Sequence, residues 1–445
     1  MNDEPTHRVG YRSGVADRIQ IGSESRMMSS ANAGVGGESE SNALARRPLR
    51  VIYVSAGYPA PPGHPGEASG IGGAELQAHR VAIRLGDQFA ATIITSSWGE
   101  RPQPYTLDGV QVMPIPMRRA GTVGSGIDAL TIAARGWRLT PPDVVQGFQL
   151  NGVTFGAASL AHLRKVPLVV KLTGRGNFES VEGRVGRLKL EVLVRAASSI
   201  VAVSQAIVDD CLRHGIPERK IELIPNGVDT DFFKAPSSSE RRSARQRFEF
   251  DDEDFVFCWV GRLARAKGFK LLADAWPDIV ARHVRARLLI AGGGGSEDNV
   301  AQDLAHRHGN SVRWLGSLRD VRPVYASSDA HVLTSPAEGL SGVTLEASAS
   351  GLVSIVPDNP ENVEIGEGSD FLVPYRREAG HLAGAMIAVI QRRKELSGVG
   401  QRARGRVVES YSLPSVVDRW QRLYLSQAGY ESQYASKPAP VPVTD

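Results

Sequence analysis

The chain has 445 residues, 42% of them hydrophobic and 22% charged, with a net charge of +4 at neutral pH. This length and balance are typical of a two-domain globular protein with tails. The weak positive charge suits an anionic ligand or an anionic membrane surface, and it is too small to indicate a nucleic-acid partner.

Two further features of the composition bear on location. Cys211 and Cys258 are the only cysteines and lie far apart, which excludes a disulfide framework or a zinc site built from them and fits a reducing cytoplasm. The first residues lack the apolar segment of a signal peptide, and no apolar run approaches the 18 residues of a membrane helix. We therefore expect a cytoplasmic protein without a membrane span.

Both ends of the chain lack apolar periodicity. Residues 1–47 are rich in Ser, Gly, Arg and Glu, and residues 431–445 contain Pro438, Pro440 and Pro442. Both are predicted to be disordered tails.

Between the tails, short β-branched apolar runs alternate with helical patterns, which predicts parallel sheets flanked by helices in an α/β fold. The predicted strands are Arg50–Ser55, Ala91–Ser96, Val110–Ile115, Asp143–Gln146, Pro167–Leu172, Ser199–Val203 and Ile221–Ile224, then Asp254–Val260, Ala286–Ala291, Val312–Leu315, Ala330–Leu333 and Val353–Val356. About a dozen strands are too many for one comfortable open sheet.

The pattern breaks after Pro225 and in the following Ser/Arg-rich run, which predicts a domain junction. We expect two Rossmann-like domains, at 48–225 and 251–410, joined by a linker at 226–250 and followed by a helix at 411–430. Ligands of such sheets bind beyond the carboxyl ends of the strands, so the expected active site is a cleft between the domains.

A glycine-rich loop follows the first strand and leads into a helix that begins near Ala74. Its glycines are Gly57, Gly63, Gly66, Gly70, Gly72 and Gly73. A strand, a glycine loop and a helix start allow the backbone to approach an anion closely. The spacing matches neither a dinucleotide fingerprint nor a Walker loop, so a flexible surface loop remains the alternative.

Two segments of the first half have open interpretations. Arg184, Arg187, Glu191 and Arg195 share one helical face, beside an apolar face of Val185, Leu188 and Val192. Such a helix can contact anionic lipid, although a solvated helix packed on its own sheet is the commoner case. The segment 229–231 has the spacing of an Asp-x-Asp metal motif, but its junction position and the lack of companion ligands favour acids that cap turns.

The second half opens with a strand that delivers Arg262 and Lys267 just before a helix. Two cations at the carboxyl end of a strand can neutralise a diphosphate, and they stabilise one that leaves in the transition state. A solvated basic turn is the alternative. The glycines 292–295 after the next strand could admit a nucleotide ring or make a turn, and the turn is favoured. The strand end at 314–318 has backbone groups that could read the edge of a base.

The segment 336–347 carries two carboxylates, Glu338 and Glu346, on either side of a Gly/Ser hinge. Ser341 is the predicted N-cap of a helix that contains Glu346, with Glu338 in the loop before it. The free amides of this helix start suit a phosphate. Eight helical residues span about 12 Å, so the two carboxylates could hold separate ends of an extended ligand such as a sugar nucleotide.

Taken in order, these segments resemble the retaining glycosyltransferases of family four, the "glycosyltransferases group 1" with the GT-B fold of two Rossmann-like domains facing a cleft. The resemblance covers roughly residues 48–430. Its markers are Gly72–Glu75, Val203-Ser204, Pro225–Asp229, Gly261–Leu263 with Lys267-Gly268, Ala291–Gly294, and Glu338–Glu346.

The resemblance implies a role for each marker. Gly72 and Gly73 would approach the donor diphosphate or the transferred sugar. Arg262 and Lys267 would hold the diphosphate, with Glu338 on the sugar and Glu346 on the ribose. The amides of Gly339, Leu340, Ser341 and Gly342 would bind phosphate, and the backbone near Leu318 the base. The family uses neither a metal nor another cofactor, since the nucleotide sugar is a co-substrate.

Two positions depart from the family pattern. A histidine common after the fifth strand is replaced here by Thr173, so Lys171, Thr173 or Arg175 would supply contacts to the transferred sugar. A Gly-Gly-x-x-Glu segment is replaced by Pro360–Glu364, which keeps Glu364 and loses both glycines. We expect a loop there that is either stiffer or shaped for an unusual sugar.

The sequence therefore predicts a retaining, metal-independent enzyme that moves a sugar from a UDP- or GDP-linked donor to an acceptor hydroxyl, in polysaccharide or glycolipid synthesis. The acceptor would be a carbohydrate or lipid-linked, with peripheral contact at the inner membrane face left open. The alternatives are a catalytically silent donor-binding partner of another transferase, and a sugar-nucleotide epimerase or hydrolase, for which the chain nominates no base.

Overall fold

The computed structural model describes residues 47–60, 72–97, 103–116, 122–178, 183–366 and 369–430. The predicted tails, apart from Arg47, and the loop glycines Gly63, Gly66 and Gly70 lie outside the described residues. Two sheets with alternating helices confirm the predicted α/β class.

The first sheet has eight strands in the order β3-β4-β2-β1-β5-β6-β7-β8. Only β3 is antiparallel to its described neighbour. The strands are β1 (Leu49–Ser55), β2 (Phe89–Ser97), β3 (Tyr105–Leu107), β4 (Val110–Pro116), β5 (Val144–Phe148), β6 (Leu168–Leu172), β7 (Ser199–Ala202) and β8 (Ile221–Leu223). The helices between them are α1 (Gly73–Ala82), α2 (Thr122–Trp137), α3 (Gly152–Arg164), α4 (Gly183–Ala196) and α5 (Gln205–Arg213).

The second sheet has six parallel strands in the order β11-β10-β9-β12-β13-β14. They are β9 (Phe255–Val260), β10 (Ala286–Ala291), β11 (Val312–Trp314), β12 (Ala330–Val332), β13 (Val353–Pro357) and β14 (Leu372–Tyr375). The helices of this half are α6 (Ser238–Arg247), α7 (Phe269–Arg282), α8 (Asp298–Arg307), α9 (Arg322–Ser327), α10 (Gly342–Ala349), α11 (Pro360–Val363) and α12 (Ala379–Gln391).

All twelve predicted strands are present, and β3 and β14 are additional. Both missed strands are short and lie at a sheet edge. Pro374 interrupts the donor pattern of β14, which an edge strand tolerates because one side of its backbone needs no partner. Strands as short as these show too few alternating apolar residues to be predicted from the sequence.

The last two helices, α13 (Leu396–Tyr411) and α14 (Leu413–Gln427), return the chain from the second sheet to the first. Trp420 of α14 is buried in the same apolar cluster as Leu49 and Val51 of β1. The Tyr424 hydroxyl donates to the Tyr53 hydroxyl at 2.9 Å. The two halves are thus connected both by the linker and by a packed terminal helix.

Parallel strands place all their carboxyl ends at one edge of a sheet, where ligands of such folds bind. In the second sheet the neighbouring strands β9 and β12 end in the loops that carry Lys267 and Glu338. The topology therefore brings together two segments that are about 70 positions apart in the chain.

Candidate functional site

The loop after β12 leads into α10 as predicted from the sequence. The Ser341 hydroxyl accepts a hydrogen bond from the Thr344 amide at 3.4 Å, which confirms Ser341 as the N-cap. Glu338 lies in the loop before the helix and Glu346 lies inside it. The amides of the first turn of α10 therefore lie between the two carboxylates, at the positive end of the helix dipole.

Lys267 and Glu338 form an ion pair, with 2.7 Å between Nζ and Oε1. The turn that carries Lys267 is held in place because the Thr334 hydroxyl donates to the Lys267 carbonyl at 2.8 Å. Arg262, on the same β9 loop, is exposed and makes no ion pair with any described residue. Lys267 is thus paired with the Glu338 carboxylate, and Arg262 is available to bind an anion.

Glu346 is bound by groups that sequence reasoning did not find. Arg80 of α1, in the other half of the chain, places Nη2 3.0 Å from Glu346 Oε1. The Tyr325 hydroxyl lies 3.4 Å from Oε2. Burial raises the pKa of the Glu346 carboxyl, and the Arg80 guanidinium opposes that rise. Arg80 therefore favours the ionised carboxylate that hydroxyl recognition requires.

We expect Arg80→Ala to destabilise the protein increasingly as the pH rises. Without Arg80 the folded-state pKa of Glu346 climbs further above its ordinary value, so the folded protein holds a proton that the unfolded chain releases. As the pH rises from the ordinary carboxyl pKa toward the raised folded-state pKa, the free energy of unfolding of the variant therefore falls. We expect the loss to reach about 2 kcal/mol at pH 8. At pH values below the ordinary carboxyl pKa, both states are protonated and the loss should be small.

The measurement is the unfolding midpoint of wild type and variant from pH 5 to 8. Arg84→Ala is the matched control, because Arg84 lies four residues after Arg80, in the turn that follows α1, and pairs with the more exposed Asp229. A midpoint difference between wild type and Arg80→Ala that stays constant across this range would show that Arg80 does not govern Glu346 ionisation.

The two halves meet where the turn after β6 packs against the loop before α10. A Cβ added to Gly339 would lie 2.6 Å from the Thr173 carbonyl carbon and 3.1 Å from the Gly174 amide. The Asn226 side chain adds a hydrogen bond to the Leu340 carbonyl at 3.2 Å. Thr173 is thereby brought to the α10 loop, as a sugar contact would require.

Of the other residues near Thr173, Lys171 does not face this site. Its side chain is buried, with Nζ 3.3 Å from Asn226 Oδ1 and 5.4 Å from the centre of the Trp420 ring. Burial lowers the pKa of Lys171 to about 8. Arg175 begins a single 3-10 turn, and its side chain lies outside the described residues.

Gly72 and Gly73 lie at the start of α1, where Gly72 is the N-cap. The Glu75 carboxylate folds back toward Gly72, with Oε2 2.6 Å from the position of an added Cβ. Because a carboxylate already lies at this helix start, the two glycine amides suit a neutral hydroxyl-bearing group better than a phosphate.

The glycines after β10 make a tight turn, as predicted. The Gly292 amide donates to the Gly316 carbonyl at 2.8 Å, and Gly292 has φ of 153°, a region that favours glycine. Ser317 lies against Gly293, which brings the segment before Leu318 to the same edge of the sheet. Leu318 itself is half-buried against the core.

The segment that departs from the family pattern forms the short helix α11 instead of an open glycine loop. Glu364, which follows it, accepts from the Gln205 amide at 2.8 and 2.9 Å. This amide begins α5, whose N-cap Ser204 makes no side-chain cap bond. A carboxylate from the second half thus caps a helix of the first.

The Asp229 carboxylate caps a turn, as expected for this junction. Its Oδ1 accepts from the amides of Asp231 and Phe232 at 3.2 and 3.0 Å, and Oδ2 pairs with Arg84 at 2.6 Å. Across the described residues, no group of three or more His, Cys, Asp or Glu side chains is arranged to hold a metal ion. None of the described helices combines the length and apolar character of a membrane span.

Comparison with known families matches both halves of the chain. Residues 71–232 match the family "Glycosyltransferase Family 4", and residues 254–392 match "Glycosyl transferases group 1". Between them the two matches cover more than half of the chain.

Individual relatives match parts of the sequence. Mannosylfructose-phosphate synthase of Agrobacterium fabrum is 29% identical over 183 residues, 38% of this chain and 40% of the relative. The Escherichia coli UDP-Gal:alpha-D-GlcNAc-diphosphoundecaprenol alpha-1,3-galactosyltransferase is 25% identical over 279 residues, 60% of this chain and 70% of the relative. The chain spans about half the length of the first curated relatives that it matches.

Solved structures agree on the fold. Anabaena Alr3699/HepE in complex with UDP superposes with a TM-score of 0.67 at 20% identity, over 85% of this chain and all of that one. The two sheets, the cleft-edge loops and the matches to both halves lead to one assignment: the chain belongs to the family-four, group 1 glycosyltransferases, with the GT-B fold.

Proposed function

We propose that the protein is a retaining, metal-independent glycosyltransferase that transfers a sugar from a UDP- or GDP-linked donor to an acceptor hydroxyl. The observation that carries the proposal is the pairing of Lys267 with Glu338 at the start of α10. This arrangement places a cation, a carboxylate and free helix amides within one small region of the cleft edge.

The parts of this region suit the parts of a nucleotide sugar. The α10 amides, Lys267 and exposed Arg262 offer donors and positive charge to a diphosphate. Glu338 is placed to accept from sugar hydroxyls, and Glu346, which pairs with Arg80, from the ribose hydroxyls. Because diphosphate charge develops as the bond to the sugar breaks, Arg262 and Lys267 would stabilise the transition state.

Metal independence is supported by Arg262 and Lys267, which offer positive charge where a metal ion would otherwise neutralise the diphosphate. It is also supported by Asp229, whose carboxylate oxygens already bind turn amides and Arg84. The proposal of retention rests on the resemblance to family four. Retention implies attack on the same face of the sugar from which the diphosphate leaves, with the acceptor proton passing to a leaving phosphate oxygen. The loops at Thr173 and Gly339 would exclude water from this reaction when they meet.

The test is thermal unfolding with UDP-, GDP- and ADP-linked sugars, with and without magnesium. A ligand at a hundredfold excess over its dissociation constant adds about 2.7 kcal/mol to the free energy of unfolding, a rise in midpoint of roughly 2–4 °C. We expect a rise with one base, unchanged by magnesium. A rise that requires magnesium would overturn metal independence, and no rise with any donor would overturn the proposed site.

A catalytically silent donor-binding partner is the alternative, because α11 replaces the open glycine loop and Thr173 replaces a histidine. Such a protein would show the thermal response but no transfer. Glu338→Ala separates the two, since a transferase should lose most of its turnover while it stays folded. An epimerase or hydrolase would instead release product without any acceptor.

A further inference from the structure

Helix α4 has two apolar faces, and only one of them is covered. Leu190 and Leu193 are buried in the core. Val185, Leu188 and Val192, spaced three and four residues apart, are 66%, 60% and 45% exposed. At 100° per residue, the centre of these three lies about 140° around the helix from the centre of the buried pair. The helix therefore packs on its own half through Leu190 and Leu193, and Val185, Leu188 and Val192 form a separate outer stripe.

Positive charge surrounds the outer stripe. Arg184, Arg187, Lys189 and Arg195 are all exposed on α4, against the single carboxylate of Glu191. That carboxylate is paired with Arg195 at 2.7 Å. An exposed apolar stripe with cationic flanks is the pattern of helices that lie in the interface of an anionic lipid bilayer.

A groove next to α4 extends the positive surface. It is an open cavity of about 920 Å³ between α4 and the end of α5. Arg187, Arg213 and His214 lie on its wall, beside Leu190 and Val194. Arg213 is paired with Asp210. The Glu191 carboxylate also lines the groove. The groove therefore offers arginines of α4 and α5 beside apolar surface, with their charge partly balanced by Asp210 and Glu191.

We propose that α4 docks the protein on an anionic phospholipid surface. Three apolar side chains would enter the headgroup region, and each nearby cation would strengthen binding roughly fivefold. A second copy of this chain is a poorer occupant, because it would bring four more cations against these four.

The position of α4 links this surface to the cleft. The helix follows the β6 turn at Thr173 and Gly174, which packs against Gly339. A lipid surface at α4 would therefore lie on the acceptor side of the site. This part of the inference rests on the proposed function, because it makes the acceptor a hydroxyl of a membrane-borne lipid.

The test is flotation of the full chain with vesicles of phosphatidylcholine, with and without phosphatidylglycerol, at low salt. Wild type should float with the anionic vesicles and be released by high salt. Combined Val185→Ser, Leu188→Ser and Val192→Ser should weaken binding at least about tenfold. Ile127→Ser with Leu130→Ser is the control, since these residues of α2 are 37% and 70% exposed and the cation of that helix, Arg135, lies more than a turn away.

Three outcomes would overturn the proposal: no flotation of wild type, equal flotation with phosphatidylcholine alone, or equal flotation of the triple variant. Self-association that the triple variant abolishes, without vesicle binding, would assign the stripe to a second copy. The thermal response to donors should be the same in wild type and the triple variant. If neither wild type nor the triple variant responded to donors, the transferase proposal would fail. Vesicle binding would still test the docking surface independently.

Discussion

We expect Lys267→Ala to lower the turnover number of sugar transfer about 10²- to 10³-fold, the effect typical of removing one group that stabilises developing charge. Lys267 is held against Glu338 at the carboxyl edge of the second sheet, so its loss removes a cation from the place where the diphosphate would leave. Saturation with the donor should not restore the rate. The measurement is steady-state transfer with varied donor.

Lys270→Ala is the matched control. Lys270 lies three residues further on, exposed on α7 and paired with Asp274 at 2.7 Å, and its replacement should leave turnover within about twofold because surface pairs contribute little. Lys267→Arg should keep part of the rate. If Lys267→Ala kept full turnover and only raised KM, Lys267 would bind the donor equally in the ground and transition states.

The second large effect is expected for Gly339→Ala, which should lower turnover about 100-fold. The added Cβ would lie 2.6 Å from the Thr173 carbonyl carbon, so the two backbones must separate where the halves meet. Displacement of reacting groups by about 1 Å is enough for a loss of this size. The unfolding midpoint should change less than the turnover, because Gly339 itself contributes no apolar side chain to the buried cluster that contains the neighbouring Leu340.

Gly384→Ala provides the comparison for Gly339, because Gly384 is exposed on α12, away from the proposed donor site, and an added Cβ there meets nothing within 4 Å. We expect this variant to retain nearly full activity. Equal turnover of the two variants would show that contact between Thr173 and Gly339 is not required for catalysis.

Much of the site could be predicted because its signals are local. Ser341 before an apolar run indicates an N-cap, and the alternation of strands with helices places Lys267 and Glu338 beyond the ends of two strands. Whether those strands are neighbours is a matter of topology, and the order β9-β12 brings the two side chains within hydrogen-bonding distance. The roles of these residues toward a donor stay predictions.

The contacts between the halves could not be predicted in this way. Arg80 and Glu346 are 266 positions apart, and Gln205 and Glu364 are 159 apart. No spacing rule in the sequence links residues so far apart. In the sequence, each of these four residues looks like an ordinary polar residue of its own segment.

The amino-acid sequence alone was enough to establish the α/β class, its division into two sheets and the N-cap of α10. Periodicity and caps suffice for this, because hydrogen bonding within elements and burial of sheet faces depend on neighbours in sequence. Packing decided the rest. Packing buried Lys171 in the core and paired Arg80 with Glu346. It also left Val185, Leu188 and Val192 exposed. These outcomes depend on which segments, distant in sequence, pack against each side chain, and local sequence does not specify that.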